Sequence, residues 1–192
     1  MSHINKLNIR KDFAELVHLN EGKKETNLDN PCIYVANLGA YNAGRLVGRW
    51  LDLTELKDID ELKKVVDIIA NTNPVYGDEW AIHDYSNFPD MGEYPDLEKV
   101  IEVAEIVEEH GFNKINAFLE IYSIEDLDNF EESYNGEWSS FQDYAEDFFD
   151  SCYEVPENIS NYIDYEAFAR DLSYDYNEVD NPSGGVFVFG SF

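Results

Sequence analysis

The sequence predicts an α+β protein assembled from small parts, and three observations carry that prediction. From Cys32 the apolar residues fall in short β-rich runs separated by turn residues. From Leu97 they recur at helical spacing through most of the remaining chain. The chain then returns to a strand pattern in its last residues, "VFVFGSF". At 192 residues it is long enough for one substantial domain or two to three small ones. Aromatic residues make up 15%, with 13 Tyr and 12 Phe, which argues against an acidic disordered chain.

The elements follow in order. Residues 1–30 read as an N-terminal extension with one short amphipathic helix, Ile9 to Leu19, carrying Phe13, Leu16 and Val17 on one side. Asn20 to Asn30 is polar, and Pro31 closes it as a linker. In residues 31–94, "CIYVANL" and "RLVGRWLDL" form a hairpin around the turn residues "GAYNAG". Asp58 and Glu61 before Leu62, Val65, Val66 and Ile69 start a helix, and "EWAIHDY" supplies a third antiparallel strand. Residues 95–135 are helical: Leu97, Val100, Ile101, Ala104 and Val107 make a stripe that Gly111 stops. A second helical piece follows at Ile115 to Tyr122, and Ser123 with Asp126 makes a capping box for a third. Asn135 and Gly136 break the chain. Residues 136–192 then hold a helix opened by Ser140 and Asp143, the helical "NYIDYEAFARDL" after Pro156, and the terminal strand.

Charge is the most informative property. The formal net charge is -28, yet the first thirty residues hold five acids and five bases. After Lys114 the only basic residue is Arg170, against nineteen Asp and Glu. A surface this one-sided repels itself, and it repels nucleic acid and anionic membranes, so the partner it suits is basic. Halophilic adaptation and a solvated face without a partner are the plainer readings. The neutral extension fits the first poorly, and placement on the helices decides about the second.

Asp143, Glu146, Asp147 and Asp150 fall on one helix face, opposite Phe141, Tyr144, Ala145 and Phe148. At 1.5 Å rise per residue these acids lie about 4.5–6 Å apart along the axis. Phosphates of one DNA strand lie about 6–7 Å apart, a loose match. Glu98, Glu102, Glu105 and Glu109 repeat the design, and Glu125, Asp126, Asp128, Glu131 and Glu132 extend it. Like charges at i,i+4 forgo the roughly 0.2–0.5 kcal/mol that a Glu–Lys pair contributes. Such faces point to a basic partner.

Chemistry is hard to find. Carboxylate pairs arise by chance among 41 acids and carry no glycosidase signal. His3, His18, His83 and His110 lack metal-ligand spacing, and His83 reads as a satisfied strand residue. Cys32 and Cys152 are too few for a disulfide framework and neither has a nucleophile's setting. Gly39, Gly44 and Gly48 do not make a phosphate loop, and "DLSYDYNEVD" lacks the features of a calcium loop. The sequence predicts no enzyme, cofactor or metal. With no secretory signal and no apolar run long enough to span a membrane, it reads as cytoplasmic.

"IYVANLGAYNAGRLVGRW", "EWAIHDY" and "YIDYEAFARDL", in that order and at similar separations, resemble the hallmarks of ArdA-type antirestriction proteins, from about Cys32 to the C-terminus. The resemblance implies a DNA mimic, carried on mobile genetic elements, that inhibits Type I restriction-modification enzymes by occupying their DNA-binding groove in the methyltransferase core. It also implies an elongated, curved chain of three subdomains forming a head-to-head homodimer through the C-terminal one. The family's antirestriction motif maps to Val155, Pro156, Tyr162, Asp164, Tyr165, Ala167, Arg170 and Asp171, where packing in the core or the dimer is an equally open role. Arg170 is expected to pair with a carboxylate in the fold or across the dimer. The resemblance leaves residues 1–30 outside the family pattern. A dimer would carry twice -28, or -56, the charge of about 28 base pairs. The alternative is an acidic decoy for another basic DNA-binding protein.

Overall fold

The computed structural model describes residues 26–72 and 75–192. The helix expected over Ile9 to Leu19 and the histidines His3 and His18 lie outside the described residues. The described chain is α+β, as the change of period predicts, with two three-stranded antiparallel sheets. It divides into two compact units, Met1–Phe112 and Asn113–Phe192.

In the first unit, β1 (Cys32–Asn37) is the central strand, between β2 (Gly48–Asp52) and β3 (Trp80–Ser86). A central strand is covered on both faces, and every β1 residue except Tyr34 is buried. Ile33 pairs with Leu51 on one side and Tyr85 on the other, and the β3 register shifts between Tyr34 and Val35. The "GAYNAG" turn is a five-residue helix, α1 (Leu38–Asn42), and this differs from the expected loop. Asn37 makes it one. Its Oδ1 accepts the Ala40 N–H at 2.7 Å, while its amide donates to the Ala70 and Gly77 carbonyls. Gly39 is required there, because a Cβ would lie 1.7 Å from the Tyr76 carbonyl oxygen.

Asp58 caps α2 (Ile59–Ala70), accepting the Asp60 and Glu61 N–H groups, and Leu62, Val66 and Ile69 bury its inner face. Asp96 caps α3 (Leu97–His110), and Gly111 ends it with φ +89°.

The second unit opens with α4 (Phe112–Leu119), whose start straddles the unit boundary. A 3-10 turn over Ile124–Asn129 and the short α5 (Phe130–Ser133) follow. The capping box at Ser123 forms, with the Asp126 carboxylate accepting the Ser123 N–H at 3.0 Å. Asn135 and Gly136, read from the sequence as a break, lie inside β4 (Tyr134–Trp138). The register against β6 shifts between Tyr134 and Glu137, and Gly136 takes φ +106°, so the breaker is a bulge within a strand.

Helices α6 (Phe141–Cys152) and α7 (Tyr165–Leu172) precede β5 (Tyr176–Asp180) and β6 (Val186–Gly190), and the sheet order is β4-β6-β5. All five residues of β6 are buried. Phe118 meets Phe130 and Phe189 edge-on at 5.7 and 5.9 Å. A second cluster joins Phe141, Tyr144, Ala145, Ala169, Val186 and Val188.

Candidate partner-binding surface

The aromatic and aliphatic anchors decide which way the acids point. On α3 the stripe Leu97, Val100, Ile101, Val103, Ala104 and Val107 is buried, and this turns Glu98, Glu102, Glu105 and Glu109 outward. That face is partly compensated. Lys63 Nζ lies 3.1 Å from Glu98, Lys99 lies 3.1 Å from Glu102, and Lys57 lies 2.8 Å from Glu108. The Lys57 ammonium is held above its ordinary pKa by its hydrogen bond to Glu108 and the charge of that carboxylate. Lys57 and Lys63 lie far from α3 in sequence, so spacing within the helix gave no sign of them.

The second unit has little such compensation: nineteen acids face two cations, Lys114 and Arg170, for a net charge of -17. Its α6 is built like a one-sided ruler. Ser140 Oγ accepts the Asp143 N–H at 3.1 Å and fixes the start of the helix. Phe141, Tyr144 and Ala145 are buried, so Asp143, Asp147 and Asp150 are exposed and Glu146 is half-exposed. Neutral groups bond two of them without cancelling charge: Gln142 donates to Glu146 at 2.9 Å, and the Tyr165 hydroxyl donates to Asp150 at 3.2 Å. Loss of water around its hydroxyl, with that bond, pushes the Tyr165 phenol above its ordinary pKa.

Glu125, Asp128, Glu131 and Glu132 are exposed, whereas Asp126 is half-buried and spent on the turn, accepting from both N–H and Oγ of Ser123. The motif residues divide by role. Asp164 caps α7, accepting the Ala167 N–H at 3.0 Å. Val155, Tyr165 and Ala167 are half-buried, whereas Pro156, Tyr162, Arg170 and Asp171 are exposed. Arg170 reaches its neighbour Asp171 at 3.8 Å, a loose surface pair.

The core contacts of this segment come from Phe168, Ala169 and Leu172, which the motif reading passed over. Their i, i+1, i+4 spacing was the available signal.

Cys32 is buried, and burial with the nearby Asp52 carboxylate pushes its thiol up to about 12, far from a nucleophile's range. Cys152 is exposed. Among the described residues no helix is long and apolar enough to cross a membrane.

The family model described as antirestriction protein (ArdA) matches residues 33–186, most of the chain and both units. The chain belongs to the ArdA family of antirestriction proteins. No curated protein matches it. ArdA membership implies interaction with restriction-modification enzymes. The matched span begins at β1 and ends at the first residue of β6.

Proposed function

We propose that this antirestriction protein is a non-catalytic DNA mimic that inhibits Type I restriction-modification enzymes by competing for the DNA-binding groove of their methyltransferase core. One observation carries the reading. In the second unit nineteen acids stand against two cations, and α6 presents four of them in a row over a buried aromatic face. The α6 row, Asp143, Glu146, Asp147 and Asp150, is the principal contact. Glu125, Asp128, Glu131 and Glu132 extend it, while Glu98, Glu102, Glu105 and Glu109 form a weaker, lysine-damped contact. Asp126, half-buried with one carboxylate oxygen bonded to Ser123, keeps its charge and is the least exposed acid of that group.

The active species is a homodimer that works in the cytoplasm, where restriction enzymes meet DNA. Its contact lies on the second unit, around Ile159 and Tyr162, which are 45% and 85% exposed and costly to leave in water. Long-range attraction between this surface and a basic groove speeds encounter and weakens with salt. The test is competition: DNA bound to a purified Type I methyltransferase core is displaced by the protein across a salt series. Displacement that falls with salt supports the reading. Displacement from histone-like proteins but not from the Type I core points instead to a general decoy.

A further inference from the structure

A cavity of about 430 Å³ opens on the second unit, walled by Phe148, Tyr153, Phe168, Leu172, Tyr176 and Asp175. Gly190 and Ser191 complete the lining, so four of its eight residues are aromatic. Their rings stand as walls at different angles: Phe168 is stacked with Phe148, interplanar 25°, and perpendicular to Tyr153 at 87°. Tyr176 meets Phe148 at 63°. Phe148, Phe168, Leu172 and Tyr176 are anchored on the buried cluster beneath, so these walls are fixed by packing. Tyr153 is 54% exposed, which leaves one wall at the surface.

The wall mixes polar and apolar surface, and two features select a cationic occupant. Asp175 is one of the lining residues, and the unit around it carries -17. A π-face attracts a cation through its quadrupole, most strongly where water is partly excluded. The unit already uses this contact once, with Lys114 Nζ 5.5 Å from the centre of the Tyr134 ring. Arg170, its other cation, lies beside Asp171 on the surface, and neither lines the cavity.

We propose that this cavity is an aromatic cage for a basic side chain, arginine or lysine, projecting from the protein's partner. Carboxylate rows draw a basic surface in from a distance, and the cage takes one of its side chains into a defined position. The inference deepens the DNA-mimic reading, since it requires a basic partner, but its test needs no restriction enzyme.

The full-length protein is titrated with a tetra-arginine peptide at fixed ionic strength, following heat of binding and the ring NMR signals of Phe168 and Tyr176. Tyr153→Leu, Tyr153→Phe and Asp175→Asn are compared with Glu120→Gln, an exposed acid elsewhere. Tyr153→Leu leaves net charge unchanged, so general attraction stays constant. The cage predicts a loss of about three- to tenfold in affinity for Tyr153→Leu and none for Tyr153→Phe. It predicts a larger loss for Asp175→Asn than for Glu120→Gln, and shifts of both ring signals. Equal affinity of Tyr153→Leu and wild type, or ring signals that do not move, overturns it. Ring shifts that depend on protein concentration without peptide, and vanish in Tyr153→Leu, overturn it in favour of a second copy as occupant. Failure of DNA competition with this titration intact rejects the Type I reading and leaves the cage standing.

Discussion

The Tyr165 hydroxyl donates to the Asp150 carboxylate across 3.2 Å, joining the last acid of the α6 row to the first residue of α7. The bond is neutral to charged, so it fixes the carboxylate's position while leaving its charge on display. Phe149 reinforces the join, meeting Tyr165 and Phe168 edge-on at 5.4 and 5.0 Å. Tyr165→Phe is therefore expected to weaken competition with DNA by about two- to fivefold with the fold intact, since one charged hydrogen bond that holds a contact group is lost. Competition assays beside far-UV circular dichroism check this, and unchanged competition would show that the position of Asp150 does not matter.

Alanine at Asp143, Glu146, Asp147 and Asp150 together is expected to weaken competition with DNA by at least tenfold. The salt dependence flattens because four displayed charges are gone. Stability changes by no more than about 1 kcal/mol, because relief of like-charge pairs offsets the lost bonds. The same replacement at Glu98, Glu102, Glu105 and Glu109 costs less, because Lys63 and Lys99 already damp that row. Equal losses from the two rows would remove the distinction between them.

Alkaline pH is expected to destabilise the fold. Burial raises Cys32 from 9.0 to about 12 and Tyr85 from 10.0 to about 12, and Tyr144 is raised further, by burial and by Tyr176. The folded state thus keeps protons that the unfolded chain releases. This contribution is complete below about pH 9 and declines as pH rises through the folded values near 12. Urea midpoints should hold from pH 8 to about pH 9 and then fall up to about pH 11.5, and a profile flat throughout would contradict the burial of these groups. At neutral pH a thiol reagent should label exposed Cys152 and spare Cys32 until unfolding.

Asn37→Ala is expected to cost about 2–4 kcal/mol, because three backbone groups lose a buried partner at once. Chemical denaturation measures it. A cost under about 1 kcal/mol would mean that α1 holds its shape without the cap.

The long periodic elements were legible in the sequence because one physical term dominated each. The α3 and α6 faces followed from apolar spacing alone, and the caps at Asp58, Ser123 and Ser140 from side chains that compete for the first free N–H groups. Strand β4 was hidden because Asn135 and Gly136 are turn residues by local chemistry, and only pairing with β6 makes them a bulge. Strand β5 was hidden by its acids, which suit an edge strand whose Val179 alone is buried. Helix α1 needed the carbonyls of Ala70 and Gly77, thirty to forty residues away. The acids of the site could be named, but not their standing. Lys57 and Lys63, which damp α3, come from outside that helix, and the aromatic cavity depends on three separate segments.

The central claim is competition with DNA for one groove, and equilibrium displacement of labelled duplex DNA from a Type I methyltransferase core tests it most directly. Added protein should release the DNA completely, with an apparent affinity that falls as salt rises and falls again when the four α6 acids are alanine. A ternary complex that keeps both DNA and protein, or release that the α6 replacement leaves unchanged, would contradict it.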